Sequence, residues 1–164
     1  MGNGAWLSAV NDLFPSLNGD NSRVTSNADS SYNCFAWAGR YTDRWLDPIK
    51  PLGFWPPDIP PKATLNNFTR VYEADGWSRC ESPDVEPGFE KIAIYTDRRG
   101  LPQHAARQLE NGRWTSKLGE AEDIEHDTLQ VFDDSIYGTP ARYMRRPLPG
   151  NATSTATPGP SAST

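Results

Sequence analysis

At Gly76 the apolar period of the chain changes, and that change restricts the fold more than any other feature. Before it the spacing is helical. In "WLSAVNDLF" (residues 6–14), Trp6, Val10, Leu13 and Phe14 share a side, and Pro15 ends the run. Cys34, Trp37, Ala38, Tyr41 and Trp45 then fall on one face of a second helix, expected to run to about Leu46 before Pro48 and Pro51. Leu65, Phe68 and Tyr72 mark a third, over 62–74, with Gly76 as its cap. After Gly76 the period falls to two. "KIAIY" (91–95), "QHAARQL" (103–109), "RWTSK" (113–117) and "ARYMRR" (141–146) read as strands. Helices followed by antiparallel strands predict the α+β class: N-terminal helices, one opening with Cys34, packed on a small antiparallel sheet.

The length of 164 residues fits one domain, over 1–148. Residues 149–164, "PGNATSTATPGPSAST", form a Pro-, Ser- and Thr-rich tail too polar to order itself. Six Trp, six Tyr and six Phe supply the bulk of a core. A net charge of -5 argues against nucleic acid as a partner. No membrane-spanning run and no signal-like N-terminus is visible, so the default location is cytoplasmic, with both cysteines, Cys34 and Cys80, reduced. No close pair of metal-ligand residues is present, and no cofactor or metal is expected.

Cys34 follows Asn33, a favoured N-cap, so its thiol opens a helix, where free N–H groups stabilise a thiolate. A cysteine there is otherwise a small buried hydrophobe. His104 lies in a predicted strand beside Ala105 and Ala106, which leave room for another element to approach. Asn111-Gly112 marks a hairpin, and a two-residue turn there sets Arg107 opposite Ser116. The pattern permits a nucleophile, Cys34, a base, His104, and a polar group that orients the base. His126, among acids in "EDIEHDT", reads as a surface histidine, with a triad contact as the second reading. Lys117 and Arg107 read as exposed strand charges or as contacts for an acidic substrate group.

The order of "NCFAWA", "PGFEKIAIY", "HAARQLENG" and "RWTSK" resembles the NlpC/P60 branch of papain-like cysteine peptidases. The stretch also looks like an uncharacterised domain family, whose members carry Asn-Cys and Trp-Ala, then Trp-Pro, "HAARQ", a "G.W.SKLG" run, a later His and Tyr-Gly. The first resemblance implies a papain-like fold and acyl transfer from a peptide- or amide-like substrate, with Cys34, His104 and Ser116 as the catalytic set. The backbone N–H of Cys34 would be one oxyanion donor, and Tyr32 or Asn33 would add a second. Gln108 or Asp123 stands as an alternative third residue. The competing expectation is a non-catalytic binding module whose groove is walled by Trp37, Trp55 and Trp114.

Overall fold

The structure, a computed structural model, describes residues 12–49 and 53–149. Most of the predicted first helix, and the tail from Gly150, lie outside them. A single antiparallel sheet dominates. Its strands are β1 (Ser22–Val24), β2 (Ser78–Cys80), β3 (Phe89–Thr96), β4 (Pro102–Gln108), β5 (Trp114–Lys117), β6 (Asp123–His126) and β7 (Thr139–Pro147). Their order across the sheet is β1-β6-β5-β4-β3-β7-β2.

The protein is therefore mainly β, and the α+β expectation of N-terminal helices packed on a small sheet, with the papain-like fold that the resemblance implied, is corrected. The cysteine helix, α1, spans only Cys34–Ala38. Asn33 caps it by accepting from the Ala36 N–H, but Gly39 ends it, and Arg40 turns the chain away with φ 76°. Tyr41 and Trp45, whose spacing suggested a longer helix, sit in irregular chain and are held by other partners. The Tyr41 hydroxyl bonds Asp75, and the Trp45 indole bonds the Ser30 carbonyl. Only α2 (Leu65–Ala74), capped by Thr64, is a helix of more than two turns among the described residues.

Both sheet faces are covered. On the helix face, Ile92, Ile94, Ala105 and Met144 meet Cys34, Phe35, Ala38, Phe68 and Tyr72. On the turn face, Ala93, Tyr95, Ala106, Trp114 and Ile124 meet Phe14, Leu17, a 3-10 turn (Leu129–Phe132) and Tyr137. Two covered faces explain why polar strands such as β6 are buried end to end. Among the described residues, no helix is long and apolar enough to cross a membrane.

The β4–β5 hairpin departs from the expected register. The Leu109 N–H bonds the Arg113 carbonyl, enclosing Glu110, Asn111 and Gly112 in a three-residue loop with Gly112 at φ 88°. Arg107 pairs with Thr115, not Ser116. A slip of one residue exchanges the faces of a strand. Here it moves Ser116 onto the face of His104.

Candidate active site

The ladder between β4 and β5 holds two pairs, Arg107↔Thr115 and Gln108↔Trp114, and the strands part beyond it. Side chains fill the opening. On the turn face, His104 Nε2 lies 3.0 Å from Ser116 Oγ, and Ser116 Oγ lies 2.8 Å from His126 Nε2. His126 Nδ1 lies 2.8 Å from the Thr128 carbonyl. A carbonyl only accepts, so His126 carries its proton on Nδ1. Its Nε2 then accepts from the Ser116 hydroxyl, and that oxygen accepts from His104 Nε2–H. The chain of bonds leaves His104 Nδ1 with a bare lone pair. It is buried and has no hydrogen-bond partner among the described residues.

All three side chains are sealed from solvent. Burial holds His104 well below the ordinary histidine range, and the nearby His126 adds to this. Burial also lowers His126, to about 4, against the opposing pull of its bond to Thr128. Both rings are neutral near pH 7. The Tyr137 ring stacks on the His104 imidazole at 4.0 Å and 5°, and Phe132 meets it edge-on.

Cys34 belongs to the helix-face core, where it packs with Ala105, the residue after His104. The nearby backbone amides of Ala105, Phe35 and Cys34 itself favour a thiolate, and burial opposes it. A charged sulfur would also act on Tyr72 from the helix face and on Tyr137 from the turn face. Burial outweighs the three amides and pushes the thiol up to about 12. No hydrogen bond joins it to His104.

The other predicted site residues have different duties. Asn33 Oδ1 takes the amides of Ala36 and Leu46, and its Nδ2 donates to the Leu46 carbonyl, so its side chain is held as the helix cap that joins α1 to the chain at Leu46. The Tyr32 hydroxyl donates to Asp123 at 2.7 Å, and burial pushes it up to about 12. Asp123 points to the helix face and does not orient His104. Gln108 Nε2 donates to the Pro83 carbonyl at 2.7 Å. The three tryptophans share no groove. Trp114 is buried on the turn face, Trp37 bonds Thr115 on the helix face, and Trp55 bonds the Ile59 carbonyl and packs edge-on to Phe68. His126 is no surface residue: it is wholly buried and completes the hydrogen-bonded chain. Its signal in the sequence was the alternation of "DIEH", which sends Ile124 and His126 to one side and Asp123 and Glu125 to the other.

This mainly β domain, with a cysteine at the end of a short helix beside a buried histidine–serine–histidine chain, matches the family described as a domain of unknown function, DUF7689, over residues 23–145. The chain belongs to that family. No curated protein and no solved structure matches it.

Proposed function

We propose that the protein is a cysteine hydrolase that transfers the acyl group of a peptide- or amide-like substrate, with Cys34 as nucleophile and His104 as general base. The observation that supports this reading is the bare His104 Nδ1, held in a fixed tautomer by Ser116 while Cys34 lies against the next residue of the strand. The similarity of its motif order to NlpC/P60 peptidases points the same way.

A thiol pushed up to about 12 does not ionise on its own near pH 7. Its proton must pass to His104 Nδ1 as the sulfur attacks the substrate carbonyl. The C–S bond forms, the carbonyl π electrons move to oxygen, and the Cys34 N–H stabilises the oxyanion. The imidazolium returns its proton to the leaving amine as the C–N bond breaks. Water, deprotonated by His104, then splits the thioester and restores the thiol. Among the described residues no carboxylate bonds His104, so the Ser116 oxygen and the facing Tyr137 ring are what meet its transient charge.

One observation favours a second reading, a non-catalytic binding domain: Cys34 is 8% exposed and its thiol is raised, the reverse of an activated thiolate. In that reading the ligand seat is a shallow surface groove lined by Tyr41, Arg44, Phe54 and Tyr72. Iodoacetamide labelling near neutral pH, read at each cysteine by mass spectrometry, separates the two. The hydrolase reading expects Cys34 alkylation to fall about tenfold in His104→Gln while Cys80 is unchanged. Equal Cys34 rates in the two folded proteins would overturn it in favour of the binding domain.

A further inference from the structure

Arg107 is 6% exposed and carries a full charge, yet it has no ion pair and no hydrogen bond among the described residues. Its Nε is buried without a partner. Charged side chains this buried are ordinarily paired. The carboxylate that would pair it is taken. Glu90 gives one oxygen to Arg40 at 2.7 Å and the other to Arg146 at 3.0 Å. Asp75, the next acid in the cluster, also bonds Arg146. A third acid, Asp123, acts on Arg107 from a distance but bonds the Tyr32 hydroxyl, so Arg107 is left without a direct partner. It is also held in place: its guanidinium lies over the Trp37 ring at 5.1 Å, and the Trp37 indole is fixed by the Thr115 hydroxyl at 3.0 Å. Burial, then the nearby Arg40, lowers Arg107 to about 10, as expected of a cation lacking its counter-ion.

We propose that Arg107, braced on Trp37, is a recognition site for a carboxylate-bearing ligand whose carboxylate completes the charge cluster of Arg40, Glu90 and Arg146. A planar guanidinium held by stacking presents a fork that suits a carboxylate. A guanidinium without a direct partner, in a cluster that already holds carboxylates, suits a single negative charge. A phosphate dianion would bring a second, against Glu90 and Asp123, both of which act on Arg107. The site does not require that Cys34 turn over any substrate.

The test is a titration of the full chain, labelled with nitrogen-15, with acetate, inorganic phosphate and chloride at fixed ionic strength. The readouts are the Arg107 Nε–H and Trp37 Nε1–H resonances. Acetate should shift both saturably and at least about tenfold more tightly than chloride, and Arg107→Met should abolish the response. Because that substitution removes an unpaired buried charge, the ligand-free variant should melt no lower than the parent. No saturable acetate shift would overturn the site. Tighter binding of phosphate would overturn the carboxylate assignment. A large fall in the melting temperature of Arg107→Met would show a structural cation instead.

Discussion

Ser116 Oγ stands 2.8 Å from His126 Nε2 in an interior with no exposed atom on either side chain. The same oxygen accepts from His104, so one hydroxyl satisfies two imidazoles. Ser116→Ala removes the donor to one ring and the acceptor from the other. Two buried ring nitrogens left unpaired should cost about 2–4 kcal/mol of stability. Urea unfolding measures this directly. A loss under about 1 kcal/mol would mean that the two rings find other partners, and that the chain of bonds does not hold the site.

Acid should destabilise the fold through the same histidines. Each has a folded pKa below the unfolded value of about 6.5. Below that pH the unfolded chain takes up protons that the folded chain refuses. Their contribution is therefore complete above pH 6.5 and is lost as pH falls. For His126, with a folded value of about 4, the loss between neutral pH and pH 5 is about 2 kcal/mol. His104 adds in the same direction. Melting temperatures across pH 7.5 to 4.5 should fall steeply below 6.5, and His126→Gln should flatten the slope. A flat profile in the parent protein would show that the rings are not buried neutral.

Gly112→Val should lower stability by about 1–3 kcal/mol. Gly112 has φ 88°, where a β-branched residue is strained, and a Cβ there would stand 3.2 Å from the Val85 side chain. Thermal unfolding by circular dichroism gives the outcome. Near-neutral stability would mean that the three-residue loop is not the turn the hairpin adopts.

Gly138→Ala should be worse, and its effect should reach the site. A Cβ at Gly138 would come within 1.9 Å of the Thr96 carbonyl oxygen, which is backbone and cannot swing aside. Gly138 follows Tyr137, the ring stacked on His104. Displacing the 137–138 turn would uncover the imidazole and the thiol behind it. Iodoacetamide should then label Cys34 faster than in the parent protein, alongside a lower melting temperature. Unchanged labelling would show that Tyr137 is not the cover.

Strands β3, β4 and β7 were legible because they are long and carry "KIAIY", "HAARQ" and "ARYMRR". Strands β1 and β2 have three residues each, "SRV" and "SRC", too few for a period to show. The overlong cysteine helix came from aromatic spacing that loop packing also satisfies: Tyr41 and Trp45 anchor irregular chain. Asn111-Gly112 marked the turn correctly but not its length. That single residue decided whether Ser116 shared a face with His104. The pairing of His126 with Ser116 was not legible locally, because it depends on the β5–β6 register, in which Trp114 faces His126 and Ser116 faces Ile124.

The two shortest strands are also the two edges of the sheet, with the eight-residue β3 and nine-residue β7 kept inside. An edge of three residues offers little backbone to a strand from another molecule, and the central residue of each, Arg23 or Arg79, makes it less inviting. A β-rich chain of this kind is guarded against edge-to-edge fibre growth by its topology, before any property of its surface is considered.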